Sequence, residues 1–200
     1  PDWRVADAPL ALLGTYQPGN ALLAAAAARV VGAGETAIRA GLARARWPGR
    51  FQVVRGDPTL VLDGAHNPAG AEALARSLRE YFGTTALTLI VGVMRDKDAG
   101  GILAPLLPLA ARVILTAPGT PRAASPQALS AALPATARAS AQIAPSVAEA
   151  LEMAHRDPRT PIVCVAGSVH LVGDALAHLV GPDKPCSIEN GADSMDSLFS

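Results

Sequence analysis

The sequence has few aromatic side chains, no net charge and almost no cysteine. Phe, Trp and Tyr make up 4% of the 200 residues, whereas hydrophobic residues make up 50%. A core built mainly from Ala, Leu and Val has to rely on close contact between small side chains of helices and sheets. The 17 basic residues are balanced by 17 acidic ones, which argues against a nucleic-acid partner held by phosphate neutralisation.

The cysteines and the short apolar runs argue against further classes of protein. Cys164 stands inside an apolar run and Cys186 in a polar stretch, which fits neither a disulfide scaffold nor a zinc site. The longest apolar stretch, around residues 21–28, is too short to span a membrane, and we see no signal peptide. We therefore expect a cytoplasmic protein with no membrane partner. The missing initiator Met suggests a fragment.

Short apolar strands alternate with amphipathic helices from about residue 51 to residue 179. Strands are predicted at 51–54, 59–62, 86–91, 112–116 and 161–165, and helices at 68–82, 102–107, 126–133, 145–155 and 168–179. This alternation indicates right-handed βαβ units and an α/β fold with a mostly parallel sheet flanked by helices. In such sheets, ligands collect at the carboxyl ends of the strands.

The first 47 residues are helical instead of alternating. An Ala-rich helix is predicted to begin after Asn20, a good helix N-cap, and a second helix to span about 36–46. The break at residues 47–50, Trp-Pro-Gly-Arg, marks a plausible domain boundary. We therefore divide the chain into a helical segment at 1–47, an α/β domain at 48–181 and a polar, poorly ordered or peripheral tail at 182–200.

Three groups of residues fall at predicted strand ends, at 63–67, 94–98 and 167–168. Asp63 ends a buried strand and precedes a Gly-containing turn, His66 and the helix cap Asn67. Asp63 could accept hydrogen bonds from ribose hydroxyls, and His66 could donate to a ligand or stack on it. Ordinary turn chemistry, with Asp63 and Asn67 bonding local backbone, explains the same residues about equally well.

Other groupings favour structure over chemistry. His170, Asp174 and His178 share one face of the last predicted helix, opposite an apolar stripe that includes Val169. Such a face is more typical of solvent exposure than of a metal site. The segment Asp-Lys-Asp at 96–98 is explained by an ion-pair loop. No Gly-x-Gly-x-x-Gly follows a predicted strand, which argues against a dinucleotide-dependent oxidoreductase.

Five short motifs stand in a fixed order along residues 13–173. They are Leu-Gly-Thr-Tyr-Gln-Pro-Gly-Asn-Ala at 13–21, Trp-Pro-Gly-Arg-Phe at 47–51, Asp-Gly-Ala-His-Asn-Pro at 63–68, Val-Gly-Val-Met-Arg-Asp-Lys-Asp at 91–98 and Ala-Gly-Ser-Val-His-Leu-Val-Gly at 166–173. In these motifs the chain resembles the C-terminal part of folylpolyglutamate and dihydrofolate synthases, which belong to the Mur ligase superfamily. The resemblance implies a Rossmann-like C-terminal domain preceded by the helical end of a central ATPase domain.

The resemblance also implies a reaction and roles for single residues. Members of the family join L-glutamate to dihydropteroate or to folates: ATP phosphorylates a carboxylate, and the amino group of glutamate then attacks the acyl phosphate. By this resemblance Asn20, Arg50, Asp63 and His66 contact ATP, whereas His66 and Ser168 contact glutamate. An Arg fork suits phosphate oxygens, although Asn20 and Ser168 are equally well explained as helix caps.

Four positions bear on how far the resemblance extends. Peptidoglycan ligases of the superfamily commonly carry Tyr at the position of Gly64, so this glycine, together with Gln17-x-x-Asn20, favours the folate branch. The family usually has His where this chain has Tyr16, which puts any role for position 16 in doubt. The alternatives are a peptidoglycan-precursor amino-acid ligase and a non-catalytic Rossmann-like binding module.

The phosphate-cradling loop that this chemistry needs is missing from the sequence. No Gly-x-x-x-x-Gly-Lys-Ser/Thr occurs, so ATP and Mg²⁺ would be held mainly by an absent N-terminal part of the same enzyme. We therefore expect the mobile C-terminal half of a monomeric ligase, inactive by itself, with no assured catalytic residue and no metal site of its own.

Overall fold

The structure, a computed structural model, describes residues 7–157 and 159–180. Two helices come first, α1 at Gln17–Val30 and α2 at Glu35–Arg44. The elements that follow are β1 at Gln52–Val54, β2 at Thr59–Leu62, α3 at Pro68–Phe82, β3 at Leu87–Val91, α4 at Ala99–Leu103, β4 at Ala110–Leu115, α5 at Pro126–Ala132, α6 at Ala135–Ser140, β5 at Gln142–Ile143, α7 at Val147–His155, β6 at Ile162–Ala166 and α8 at Val169–Val180.

The strands form one mixed sheet in the order β1-β2-β6-β3-β4-β5. All neighbours run parallel except β1, which pairs antiparallel with β2 at the edge. Every residue of the central strands β3 and β6 is buried, as expected for parallel strands covered on both faces. The predicted α/β fold with a mostly parallel sheet is therefore confirmed.

Helices cover both faces of the sheet. Alternate residues of a strand point to opposite faces, and β3 accordingly sends Leu89 into one apolar cluster and Ile90 into the other. The first cluster includes the apolar stripe of α3, and the second includes buried residues of α7 and α8. Because helices cover both faces, a ligand can reach the sheet only at its edges. The polar side chains at the carboxyl ends of the strands are therefore the candidates for a binding site.

The helix that follows β2 has the predicted bounds. Asn67 caps α3 by accepting a hydrogen bond from the Gly70 amide at 2.8 Å, and Pro68 takes the first helical position. Gly83 ends the helix with a φ of 61°, which a glycine adopts without strain. This local chemistry is why the 68–82 helix could be read from the sequence.

Several predicted bounds are wrong. α1 begins at Gln17, so Asn20 lies in its first turn and is not its N-cap. Pro18 near the helix start explains the earlier beginning, because the first amides of a helix need no helical partner. The predicted helix at 102–107 is α4 at Ala99–Leu103, followed by a separate 3-10 turn at Leu107–Leu109. α6 and β5 were not predicted.

The domain division stays a prediction, and the expected tail at 182–200 lies outside the described residues. Among the described residues, no helix combines the length and the apolar character that crossing a membrane requires. Val169 belongs to no buried stripe, because 61% of its surface is exposed, whereas Leu171, Val172 and Ala175 are the buried residues of α8.

Candidate functional site

A polar cavity of about 330 Å³ opens at the carboxyl end of β2, between that strand, the start of α3 and the start of α1. Four of the five site residues predicted from the sequence line it, namely Asn20, Arg50, Asp63 and His66. They come from segments that lie up to 46 positions apart in the sequence. Tyr16 also lines the cavity, although the sequence left its role in doubt.

Asp63 stands immediately after β2 and is almost fully buried, with 5% of its surface exposed. Its Oδ2 accepts hydrogen bonds from the Phe51 amide at 2.8 Å and from the Tyr16 hydroxyl at 3.0 Å. Its Oδ1 accepts from the Ala65 amide at 2.8 Å. Three donors therefore fix the carboxylate, so it is a rigid part of the cavity wall.

A tight turn before β1 brings one of these donors to Asp63. Gly49 has a φ of 72°, and a Cβ atom there would lie 2.5 Å from Cγ1 of Val172. Phe51 has a φ of 43°, an uncommon value for a residue with a side chain. The Gly64 amide donates to the Gly49 carbonyl at 2.8 Å and so ties the turn to the loop after β2.

Burial and hydrogen bonding act in opposite directions on the charge of Asp63. Burial raises the pKa of its carboxyl group, whereas the bonds from Phe51, Tyr16 and Ala65 and the charge of Arg50 lower it. Burial, reinforced by the negative charge of Asp63, strongly raises the pKa of the Tyr16 phenol. Tyr16 therefore stays protonated at neutral pH and serves as a hydrogen-bond donor to Asp63.

Arg50 is held by aromatic rings. Its guanidinium lies 5.1 Å from the ring centroid of Tyr16 and 5.7 Å from that of Trp47, within the range of cation–π attraction. Among the described residues no carboxylate forms an ion pair with Arg50. The side chain therefore presents a cation with no direct carboxylate contact to the cavity, which suits the binding of a phosphate group.

His66 lies exposed at the rim, next to the N-terminus of α3. Its Nδ1 is 2.9 Å from the Gly64 carbonyl oxygen, so a proton on Nδ1 donates to that carbonyl. This leaves Nε2 for a ligand. The 15-residue helix α3 begins beside it, and the first amides of a helix attract anions.

A second, mostly apolar cavity of about 380 Å³ adjoins the first, and Asn20 and Arg50 line both. Asn20 donates through Nδ2 to Oε1 of Gln17 at 3.0 Å. Gln17 is buried, and its Nε2 has no hydrogen-bond partner, which is unusual for a buried amide. Neither Gln17 nor Trp47 was predicted as a site residue, although both stand within the motifs that carry Asn20 and Arg50.

Ser168 is the predicted site residue that does not line the polar cavity. It is buried, and its hydroxyl accepts a hydrogen bond from the His170 amide at 3.1 Å, which is the geometry of a helix N-cap. The preceding Gly167 donates its amide to the Ala65 carbonyl at 3.0 Å, so Ser168 follows a direct link to the loop after Asp63. A glutamate contact of Ser168 stays a prediction.

Three further acidic side chains, those of Asp96, Asp98 and Asp174, have structural partners. Asp96 pairs with Lys97 at 3.3 Å and with Arg122 at 3.4 Å, which agrees with the predicted ion-pair loop. Asp98 caps α4, and Asp174 accepts from the Gly119 amide at 2.8 Å. In residues 7–157 and 159–180, no three His, Cys, Asp or Glu side chains come together as metal ligands would.

Comparison with known proteins gives consistent matches. Residues 49–169 match the family described as "Mur ligase, glutamate ligase domain". The dihydrofolate synthase/folylpolyglutamate synthase of Mycobacterium tuberculosis is 43% identical over 63% of this chain and 27% of its own length. The folylpolyglutamate synthase of Lacticaseibacillus casei is 35% identical over 90% of this chain and 42% of its own length.

Solved structures give the same result for the fold. The crystal structure of Mycobacterium tuberculosis folylpolyglutamate synthase complexed with ADP and AMPPCP has a TM-score of 0.76 and 34% sequence identity. That match covers 90% of this chain and 43% of the solved one. The chain therefore spans less than half the length of the relatives it matches.

Proposed function

The chain belongs to the Mur ligase family, glutamate ligase domain, and from that premise we propose that it is the C-terminal part of an ATP-dependent ligase that adds L-glutamate to dihydropteroate, to folates, or to both. The convergence of Asn20, Arg50 and Asp63 on one cavity carries this proposal. These residues offer an amide, a cation and a carboxylate, which are the groups needed for the base, phosphates and ribose of a nucleotide.

The two adjoining cavities suit the parts of ATP. The apolar cavity offers Trp47, Asn20 and the unpartnered Gln17 amide to a flat heterocycle. Asp63 is placed to accept a hydrogen bond from a ribose hydroxyl. Arg50 and the amides at the start of α3 are suited to phosphate oxygens.

The proposed reaction proceeds in two steps. A carboxylate oxygen of the folate-type substrate attacks the γ-phosphate of ATP, which gives an acyl phosphate and ADP. The amino nitrogen of glutamate then forms the C–N bond as the C–O bond to phosphate breaks, and the amine proton leaves. In this scheme Arg50 stabilises phosphate charge, whereas His66 and Ser168 are proposed to contact the incoming glutamate.

Magnesium does not fit this chain alone. The described residues bring together no group of three metal ligands, and Asp63 already accepts three hydrogen bonds from protein donors. We therefore assign Mg²⁺ to the N-terminal part of the enzyme together with most contacts to the phosphates. This chain would contribute the opposing wall of the site and exclude water from the acyl phosphate on closure.

The N-terminal part of the same enzyme is the proposed partner of α1. Four large apolar residues of this region are strongly exposed: Leu22 by 65%, Leu23 by 71%, Val30 by 87% and Val31 by 83%. Exposed apolar side chains of this kind fit a surface that would be covered in the complete protein. We further propose that the complete enzyme is monomeric and cytoplasmic, which size-exclusion chromatography and cell fractionation test.

The decisive experiment measures glutamate-dependent ADP release by the complete enzyme, meaning this chain joined to its N-terminal part. Dihydropteroate and a reduced folate are compared as acceptors. We expect turnover with at least one of them, and a fall of at least roughly 100-fold in Arg50→Ala, since removing one oriented charge contact to a reacting phosphate costs several kcal/mol. The chain alone should release no ADP.

Arg76→Ala is the matched control, because Arg76 is an exposed arginine on α3 and does not line the polar cavity. Arg76→Ala should retain the wild-type rate. Equal rates in Arg50→Ala and Arg76→Ala would contradict the site assignment.

Turnover with a muramyl precursor in place of folates would assign the chain to the peptidoglycan branch.

A further inference from the structure

Tyr16 contacts both charged residues of the polar cavity. Its hydroxyl donates to Oδ2 of Asp63 at 3.0 Å, and its ring lies under the guanidinium of Arg50 at 5.1 Å. Asp63 and Arg50 form no ion pair with each other within the described residues. The phenol is therefore the group that links the two charges.

The segment that carries Tyr16 is itself fixed to α3. The Gly14 amide donates to the Tyr81 hydroxyl at 3.3 Å, and the Thr15 amide donates to the Ser77 hydroxyl at 3.1 Å. Gly14 has a φ of 118°, and a Cβ there would lie 3.2 Å from the Tyr16 ring. The Tyr16 ring is consequently placed by its backbone as well as by its own hydroxyl.

The hydrogen bonds of Asp63 limit what it can offer to a ligand. An ionised carboxylate has about four acceptor positions, two on each oxygen. The Tyr16 hydroxyl and the Phe51 amide fill those of Oδ2, and the Ala65 amide fills one of Oδ1. A single acceptor position remains, on Oδ1.

We infer that Tyr16 is a positioning residue, which holds Arg50 and Asp63 in one arrangement and leaves Asp63 only one acceptor position for a ribose hydroxyl. This inference rests on the proposed nucleotide-binding function. It assigns a role to Tyr16, and it implies that Asp63 recognises one of the two ribose hydroxyls. Loss of the phenol would both loosen Arg50 and free an acceptor position on Oδ2.

The test compares Tyr16→Phe with Tyr81→Phe in the complete enzyme. Tyr81 is a matched control, because its hydroxyl bonds the same segment at Gly14, yet it does not line the polar cavity. Calorimetry measures the affinity for ADP, 2′-deoxy-ADP and 3′-deoxy-ADP, and steady-state kinetics measure KM for ATP and for glutamate. Thermal unfolding reports any general loss of structure.

We expect Tyr16→Phe to weaken ADP binding roughly tenfold, because the Tyr16 bond that positions the Asp63 carboxylate for the ribose is lost. KM for ATP should rise in step, while KM for glutamate stays within about twofold of wild type. One of the two deoxy analogues should bind wild type as well as ADP does, because it lacks the ribose hydroxyl that makes no contact with Asp63. The same analogue should bind Tyr16→Phe more weakly than ADP does, because in this variant Oδ2 can accept from that hydroxyl. Tyr16→His, which restores a ring N–H donor, should recover part of the loss. Tyr81→Phe removes one anchor of the segment but no contact to Asp63, so it should weaken ADP binding far less than Tyr16→Phe does.

The inference is overturned if Tyr16→Phe and Tyr81→Phe bind ADP equally well, whether both match wild type or both are weakened to the same extent. Wild type that binds ADP without glutamate-dependent turnover contradicts the proposed ligase reaction, and the ADP comparison then still decides for or against Tyr16. Wild type that binds no nucleotide overturns both proposals.

Discussion

The two regions of the molecule differ in how completely they bury their apolar residues. In the α/β region, residues 49–180, the central strands are covered by helices on both faces, and all residues of β3 and β6 are buried. In the helical region, residues 7–47, α1 has only two buried residues and α2 only one. The α/β region therefore has a hydrophobic core of its own, whereas the helical region buries too few residues to form one.

The difference extends to the polar groups. The helical region contributes Tyr16, Gln17 and Asn20 to the cavities, and one of these, Gln17, has an unpartnered buried amide. The α/β region contributes Asp63, whose carboxylate is held by three donors. The rigid part of the site therefore lies on the sheet. Under the proposed function, the helical region would be completed by ligand and by the rest of the enzyme.

The largest effect on stability is expected in the sheet. Leu89→Ala removes a fully buried side chain at the centre of β3 and should lower the free energy of unfolding by about 3 kcal/mol, within a range of roughly 2–5 kcal/mol. Leu23→Ala is the matched control on α1, where the side chain is 71% exposed, and should change it by less than about 0.5 kcal/mol. Urea unfolding of the chain followed by circular dichroism measures both. Similar losses of free energy of unfolding in Leu89→Ala and Leu23→Ala would contradict the difference in burial between the two regions.

Glycine substitutions should differ in sign between the regions. Gly49→Ala places a Cβ 2.5 Å from Val172 at a positive φ, and should destabilise the chain by roughly 1–3 kcal/mol. Gly41→Ala meets open space inside α2 and should stabilise it by about 0.5–1 kcal/mol. Thermal unfolding midpoints of the two variants provide the check. A stable Gly49→Ala would show that the turn before β1 is adaptable.

The buried carboxylate gives the sheet region a pH dependence. Burial raises the pKa of Asp63 above its ordinary value of 3.8, so between the two values the folded chain binds more protons than the unfolded chain. The free energy of unfolding contributed by Asp63 is thus complete below pH 3.8 and is lost as pH rises through the folded pKa.

Asp63→Asn removes this titration and leaves the other acidic groups in place. Relative to this variant, wild type should gain stability as pH is lowered from 7 towards 4. Urea unfolding of both proteins across that range measures the difference. If the difference in free energy of unfolding between the two proteins does not vary with pH, folding leaves the pKa of Asp63 unchanged. The cavity wall would then be more hydrated than its burial implies.

Local sequence signals predicted the sheet region well. The pattern of Asn67, Pro68 and Gly83 gave the bounds of α3, because caps and breakers act within a few residues. α6 and β5 were missed, since a six-residue helix and a two-residue strand are too short to show periodicity. Asn20 was misread as an N-cap because Pro18 lies inside the first turn of α1.

Four residues that line the polar cavity were predicted from the sequence, but the contacts that hold them in place were not. Asn20, Arg50, Asp63 and His66 could be named from motifs, and the structure brings them together. The bond from Tyr16 to Asp63 spans 47 positions and depends on the turn at Gly49–Phe51 and on α3 anchoring the segment before Tyr16. Such contacts are products of tertiary packing, which no local pattern in the chain encodes.

The smallest effect in this chain is expected on the exposed side of α1. Leu22→Ser replaces a side chain that is 65% exposed and should change the free energy of unfolding of the isolated chain by less than about 0.5 kcal/mol. In the complete enzyme the same change should cost about 1–3 kcal/mol, because the proposed N-terminal part would bury the position and a serine there would leave a poorly filled, polar contact. Urea unfolding of the isolated chain and of the complete enzyme measures the two losses of stability. Gly41→Ala is the control, because it should change the free energy of unfolding by the same amount in both proteins. Equal effects of Leu22→Ser in the chain and in the complete enzyme would mean that this side of α1 stays exposed, and the contrast between the two regions would then be intrinsic to the helical segment.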